Sequence, residues 1–266
     1  VRQRWGQNFL KNESVAQRIT GLLQIQQNDT VLEIGPGRGI LSQYIISASP
    51  RWIGVEIDGE LAADLGNRWG IPDKTEVIHR DFLEWPLPSF PDRTIKLIGN
   101  LPYSSASAIL QKCLDWPAWS QGVFMVQKEV ADRICAGPGN HDYGILTLSV
   151  QGKANVERLF DVQPGSFSPP PKVLSTVIRL RPLVEHRIHR EPLFFKVLHA
   201  AFGQRRKVIL NSLSHGLQMD KDQVLRALRT AGISPTTRAE TLDLETYNRL
   251  TDQLFGPPSI EIQSRE

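Results

Sequence analysis

Asn100-Leu101-Pro102-Tyr103 places an amide, a proline and an aromatic ring at one point of the chain. The side-chain oxygen of Asn100 and the backbone carbonyl of Leu101 are acceptors suited to gripping the amino group of a planar ring. Tyr103 can stack on such a ring, an interaction worth about 1–3 kcal/mol per base. Pro102 stiffens the turn and biases Leu101 toward an extended conformation. The exocyclic amines of adenine and cytosine are weak nucleophiles, because the lone pair is delocalised into the ring. Acceptors around the amine favour a more pyramidal nitrogen with a localised pair. A strong general base is unnecessary, since the alkylated ammonium sheds its proton readily. The larger contributions would come from orientation and in-line proximity to an alkyl donor.

A donor site is written upstream. Glu33-Ile34-Gly35-Pro36-Gly37-Arg38-Gly39 follows an apolar run and opens a helical pattern. Glycines here let the backbone approach a ligand and take positive φ. The spacing is G-x-G-x-G rather than the dinucleotide pattern G-x-G-x-x-G, which argues against NAD. No Lys-Ser/Thr pair follows, which argues against a phosphate-gripping P-loop. Glu56 ends the next strand pattern, and a carboxylate there can accept both hydroxyls of a ribose. Asp81 follows the third strand; it suits either an adenine amino group or a turn. Glycine, glutamate and aspartate at three consecutive strand ends describe a pocket for an adenosyl group whose far end is not a pyrophosphate. S-adenosylmethionine fits that description.

The elements that must position these residues alternate. Apolar runs at 30–34, 52–56, 76–79, 95–99 and 122–126 predict strands. Helical spacing recurs at 15–23, with Asn12 or Ser14 as cap, and at 40–46, 60–69 and 109–114. This βαβα rhythm predicts an α/β fold with a doubly wound parallel sheet. Two later β-rich runs, 155–162 and 175–180, are expected to close the sheet as an antiparallel pair. Beyond Pro182 the pattern is helical only, over 193–213, 221–231 and 244–255. The expected organisation is therefore a cofactor-binding domain over 1–182, a small all-helical domain over 183–256 and a frayed tail over 257–266.

With 266 residues and 40% hydrophobic content, the chain can bury a sizeable core, and collagen, coiled-coil and disordered classes are excluded. A net charge of +3 is compatible with a nucleic-acid partner without requiring one. Cys113 and Cys135 lack metal-ligand spacing and read as reduced core thiols of a cytoplasmic protein. The six scattered histidines predict no metal site. No run approaches the roughly 20 apolar residues of a membrane span. The opening Val1-Arg2-Gln3-Arg4-Trp5-Gly6 has no secretion-signal core, and without an initiator Met the sequence reads as trimmed.

Taken together, these motifs resemble the ribosomal RNA adenine N6-dimethyltransferase family, and among it the small-subunit, kasugamycin-resistance type. The resemblance rests on Gln7-Asn8-Phe9-Leu10, the glycine loop, Glu56-Ile57-Asp58, Asp81 and Asn100 to Tyr103, in that order. It continues through Gln127-Lys128-Glu129-Val130-Ala131, the F-x-P-P-P-K-V-x-S run from Phe167 to Ser175, and Phe202-Gly203-Gln204-Arg205-Arg206-Lys207. It implies a Rossmann-like class I methyltransferase sheet with S-adenosylmethionine as cofactor. It also implies that Asn8, Leu10, Gly35, Gly37, Glu56, Ile57, Asp81, Phe82 and Asn100 line the cofactor site. Tyr103 and Phe167 would sandwich a flipped adenine, completing a target site with Asn100, Leu101 and Pro102. The implied substrate is a pair of adjacent adenosines in the 3′-terminal hairpin loop of small-subunit rRNA, within an immature subunit. Each adenosine receives two methyl groups, and the enzyme is expected to act as a monomer. Two departures stand out: Phe82 occupies a position that is usually small, and Ser104-Ser105-Ala106-Ser107 replaces the usual residues after Tyr103.

Arg205, Arg206 and Lys207 form a basic cluster on a predicted helix, and Lys172 flanks the Pro-rich loop. Beside a base-modifying site, these four are expected to contact RNA phosphates. Two alternatives remain at this point: a large-subunit adenine methyltransferase of the macrolide-resistance type, and a non-catalytic RNA-binding assembly factor.

Overall fold

A computed structural model describes residues 8–48, 51–88 and 95–256 of the chain. Arg2, Arg4, Gln7 and the expected tail lie outside the described residues. The chain enters through a two-residue strand, β1 (Phe9–Leu10), and a helix, α1 (Glu13–Gly21). Asn12 caps α1 by accepting the Val15 N–H at 3.1 Å, as a short polar side chain does at this position.

The predicted alternation follows. β2 (Thr30–Ile34), β3 (Arg51–Glu56), β4 (Thr75–His79), β5 (Ile95–Asn100) and β6 (Trp119–Gln127) alternate with α2 (Ser42–Ala48), α3 (Gly59–Trp69) and α4 (Ala106–Leu114). Val31, Leu32, Ile95, Leu97 and Ile98 are fully buried, which explains their mainly apolar runs: these strands are covered on both faces, and the charged residues within them, Glu33 and Lys96, are buried too. α5 (Lys128–Cys135) and α6 (Ile145–Gln151) come next. β7 (Ala154–Val162), β8 (Phe167–Ser168) and β9 (Ser175–Pro182) complete the strands. The main sheet has the order β4-β3-β2-β5-β6-β9-β7. β2 to β6 run parallel, while β9 is antiparallel to both β6 and β7, as the two late β-rich runs predicted. β3 and β5 flank β2, so the chain reverses its winding direction there. The crevice outside the carboxyl ends of β2 and β5 is the place where such sheets bind ligands.

A second, two-stranded sheet pairs β1 with β8, Phe9 opposite Ser168 and Leu10 opposite Phe167. Lys11 N–H extends the contact to the Ser166 carbonyl at 2.8 Å. The N-terminal motif and the Pro-rich motif, far apart in sequence, are thus zipped together.

The chain forms two compact units. The first comprises Val1–Cys135 and Ala154–Leu183; the second comprises Ala136–Lys153 and Val184–Glu266. A single boundary after Pro182 is therefore not what the structure has, because α6 and its flanks leave the sheet and return. The reason is hydrophobic: Tyr143 and Leu148 are buried in the same core as Phe194, Leu198 and Tyr247. Lys153, almost wholly buried, pairs with Glu191 at 2.5 Å within this unit.

The helices of the second unit are α7 (Glu191–Phe202), α8 (Ile209–Leu217), α9 (Lys221–Thr230) and α10 (Leu244–Phe255). The single helix expected over 193–213 is broken, since residues 203–208 form a turn before Ile209. α7 and α8 approach closely at Gly216, where an added Cβ would lie 2.6 Å from the Ala200 backbone.

Candidate active site

Three strand ends and the β1 segment build one pocket. After β2 the chain turns through Gly35, Gly37 and Gly39, all with positive φ (65°, 58° and 79°). The three glycines serve different needs. A Cβ on Gly39 would stand 2.4 Å from the Trp69 ring, and one on Gly37 would stand 3.2 Å from the Phe9 ring. A Cβ on Gly35 would meet nothing within 4 Å. Gly35 therefore presents no side chain to the pocket, so a ligand can approach its backbone, whose N–H donates to the Val55 carbonyl at 2.9 Å.

Glu56, at the end of β3, fixes this loop. Its carboxylate accepts the Gly37 N–H at 2.8 Å and the Asp58 N–H at 3.0 Å. Burial raises its pKa, and these two N–H groups partly offset that rise. A carboxylate has about four lone-pair sites, so acceptor capacity remains for a ribose hydroxyl. Asp58 has a separate role: its Oδ1 caps α3 by accepting from Glu60 and Leu61 N–H at 2.9 and 3.2 Å.

Glu33 lies behind the loop, almost wholly buried. Its Oε2 accepts from Ser42 Oγ at 2.7 Å and Trp52 Nε1 at 2.9 Å. It thereby ties β2 to the first turn of α2 and to β3. Burial pushes its pKa up to about 7, against the pull of those two hydrogen bonds. Glu33 opens the glycine motif, yet its role is not visible in the sequence. A buried carboxylate bonded to a serine and an indole has no signature in spacing.

Asn100 ends β5 beside this cradle. Its Nδ2 donates to the Asn8 backbone carbonyl at 3.1 Å, which leaves Oδ1 free to accept. Leu101 N–H donates to the Met125 carbonyl at 3.0 Å, and Ser105 N–H to the Pro102 carbonyl at 3.1 Å, so the turn is held at both ends. The Ser104–Ser105 departure is accommodated in this turn, which leads directly into α4. Tyr103 is half-buried, and its hydroxyl lies 2.9 Å from Ser175 Oγ.

The pocket brings together Asn8, Leu10, Gly35, Gly37, Glu56 and Ile57 with Asn100, Leu101, Pro102 and Tyr103. It also includes Phe9 and Arg38, which the sequence motifs contain without a stated role, and Leu41. The Arg38 guanidinium lies 4.6 Å from the Phe9 ring centroid, a cation–π contact that clasps β1 to the glycine loop.

Three predicted residues are not among those lining the pocket. Asp81 forms a turn, its Oδ1 accepting the Leu83 N–H at 2.8 Å. Phe82 is buried, 6.3 Å from the Trp85 ring, with the Lys112 ammonium 5.5 Å from its own. A bulky side chain at this position is thus absorbed by local packing. Phe167 is 1% exposed and belongs to the sheet core with Leu10 and Val177. In this conformation it cannot offer a face to a base, because its pairing opposite Leu10 turns the ring inward.

The basic cluster also differs from expectation. Arg205, Arg206 and Lys207 sit on the turn between α7 and α8 rather than on a helix. Arg205 donates to the carbonyls of His141 and Tyr143 at 2.6 and 3.1 Å. It is therefore a strut holding the α6 excursion to its unit. Arg206, Lys207 and Lys172 are exposed.

Comparison with known proteins agrees with this geometry. The profile of a family described as ribosomal RNA adenine dimethylase matches residues 1–255. The chain belongs to the ribosomal RNA adenine dimethylase family. It is similar to Ribosomal RNA small subunit methyltransferase A of Caldanaerobacter subterraneus, 38% identical with 96% of this chain and 97% of that one covered. Among solved structures, a dimethyladenosine transferase from Plasmodium falciparum aligns with a TM-score of 0.78 at 26% identity, covering 91% of this chain and 95% of that one. The 23S rRNA methyltransferase ErmE aligns with a TM-score of 0.70 at 27% identity, covering 93% and 99%. As a member of this dimethylase family the chain has a class I methyltransferase fold, and its methyl donor is S-adenosylmethionine. The glycine cradle, the spare acceptor capacity of Glu56 and the absence of a side chain at Gly35 fit that cofactor. Among the described residues no helix is long and apolar enough to cross a membrane, and no group of three or more His, Cys, Asp or Glu is placed to hold a metal ion.

Proposed function

We propose that this protein transfers methyl groups from S-adenosylmethionine to N6 of two adjacent adenosines in the 3′-terminal hairpin loop of small-subunit rRNA. The product is N6,N6-dimethyladenosine at both positions, and the substrate is RNA within an immature subunit. The observation that carries the reading is the fixed orientation of Asn100. The Asn8 carbonyl occupies its amide nitrogen, so its oxygen points its acceptor capacity at a substrate amine beside the cofactor cradle.

Bound in that cradle, S-adenosylmethionine supplies an electrophilic methyl on a sulfonium. Glu56 holds the ribose hydroxyls with the lone pairs not used by Gly37 and Asp58. Asn100 Oδ1 and the Leu101 carbonyl accept from the adenine amino group and favour a localised lone pair on N6. Tyr103 stacks on the base. The neutral amide does not abstract a proton, and none needs abstracting before attack. After transfer the N6 ammonium is acidic enough to lose its proton to water. A site of acceptors without a general base also serves a monomethylated amine, as a second transfer to the same nitrogen requires. Exposed Arg206, Lys207 and Lys172 supply phosphate contacts.

A whole-length relative named for the small subunit, more similar than the large-subunit enzyme, supports the small-subunit substrate. The intact Gly35, Glu56 and Asn100 set speaks against a purely binding role. Incubating small subunits from cells lacking this protein with radiolabelled cofactor tests the reading. Wild-type protein labels the rRNA, and Asn100→Ala does not; equal labelling by the variant removes Asn100 from its assigned role.

A further inference from the structure

We propose that Ser175 is a positioning residue for methyl transfer, holding the Tyr103 ring at the target site through the hydrogen bond between their hydroxyls. The proposal rests on the reading of Tyr103 as the base platform.

Tyr103 has a two-point mount. Its backbone belongs to the turn held by the Met125 and Pro102 carbonyls, at the carboxyl end of β5 and β6. Its phenol reaches across to Ser175 Oγ at 2.9 Å. Ser175 is the first residue of β9 and is fully buried. It lies between two partners, opposite Gln127 of β6 on one side and Val162 of β7 on the other. The preceding residue is also fixed, since the Leu174 carbonyl accepts the Lys128 N–H at 2.9 Å. Ser175 is therefore anchored on both flanks, and the phenol is attached to a rigid point.

The chemistry of the position supports the assignment. A hydroxyl in a strand covered on both sides costs stability unless it has a partner. Tyr103 is the partner the described residues supply. A tyrosine ring has two free torsions, and fixing its hydroxyl removes most of its freedom to swing out of the stacking plane. A misplacement of this kind lowers the rate of the chemical step more than it weakens binding of the RNA as a whole. The Pro-rich motif thus reaches the target site through its last residue, whereas its first, Phe167, is in the core.

The experiment compares Ser175→Ala, Tyr103→Phe, the double variant and Tyr103→Ala, measuring kcat, KM for small subunits and Tm. Loss of one hydrogen bond predicts that Ser175→Ala lowers kcat roughly three- to ten-fold, with KM and Tm nearly unchanged. Tyr103→Phe should lose a similar factor, and the double variant should be no worse than either single one. A packing role for Ser175 would instead lower Tm and persist in the Tyr103→Phe background. Full activity of Ser175→Ala, or multiplicative losses in the double variant, overturns the proposal while Tyr103→Ala remains inactive. Full activity of Tyr103→Ala overturns the platform reading itself, and this proposal with it.

Discussion

The Asn100 side-chain amide donates to the backbone carbonyl of Asn8, 3.1 Å away. Ninety-two positions separate the two residues in sequence, yet this bond decides which end of the amide faces the substrate. A main-chain carbonyl can only accept, so the amide nitrogen must turn toward it and the oxygen away. Asn100→Asp replaces the donor by an acceptor against that carbonyl. The variant should lose the orientation and place a charge where a neutral acceptor is needed. We expect kcat to fall by about 100-fold or more, with a Tm close to wild type, in a labelled-cofactor assay. Activity within a few-fold of wild type would show that the orientation is unimportant.

The glycine loop separates fold from ligand binding. Gly39→Ala would drive a methyl into the Trp69 ring, 2.4 Å away, at a φ of 79°. A destabilisation of about 2–4 kcal/mol is expected, read as a lower Tm. Gly35→Ala meets no neighbour, so only the backbone strain of about 1–2 kcal/mol should appear in Tm. Its methyl enters the pocket, however, and S-adenosylhomocysteine affinity by calorimetry should fall about ten-fold or more. Equal effects of the two substitutions on Tm and affinity would contradict this division.

Glu33 makes stability depend on pH. Burial raises its folded-state pKa from 4.5 to about 7. Below pH 4.5 it is protonated in both states. Between 4.5 and 7 the folded protein holds a proton that the unfolded chain releases, so stability falls as pH rises through this window. The full difference is on the order of 3 kcal/mol. Glu33→Gln keeps an acceptor for Ser42 and Trp52 but carries no charge. The variant should therefore gain stability over wild type as the pH is raised from 5 to 8, in paired thermal melts. Parallel pH profiles would show that Glu33 has an ordinary pKa.

The basic turn should divide by residue. Arg205→Gln removes two hydrogen bonds to the His141 and Tyr143 carbonyls, so Tm should fall by about 2–6 °C. Arg206→Gln should leave Tm unchanged, weaken binding to small subunits and reduce the slope of log affinity against log salt by about one. The reverse assignment, with Arg206 affecting Tm and Arg205 the salt slope, would refute the strut.

The sheet was legible because strands buried on both faces read as mainly apolar runs, as residues 122–126 do. The pocket was legible because its residues stand at strand ends, where Gly35, Glu56 and Asn100 break the apolar pattern of the strands they follow or end. What was hidden depends on contacts remote in sequence. The pairing of β1 with β8 turns Phe167 into the core, and nothing in the Pro-rich motif itself encodes that partner. Asp81 suits a turn and a ligand equally well by type, and the structure shows the turn, with Oδ1 accepting the Leu83 N–H. The sequence shows the charge of Arg205 but not the two carbonyls it reaches. The α6 excursion was missed because its apolar residues belong to a core built mostly after residue 184.

Methylation of adenine N6 in small-subunit rRNA at the Asn100 site leaves a mark on the RNA itself. Mass spectrometry of that rRNA, from a strain lacking the protein and complemented with wild type or Asn100→Ala, tests it most directly. Two adjacent N6,N6-dimethyladenosines are expected in the 3′-terminal hairpin loop with wild type, and unmodified adenosines with the empty strain and the variant. Dimethylation that persists without the protein, or that Asn100→Ala restores in full, would contradict it.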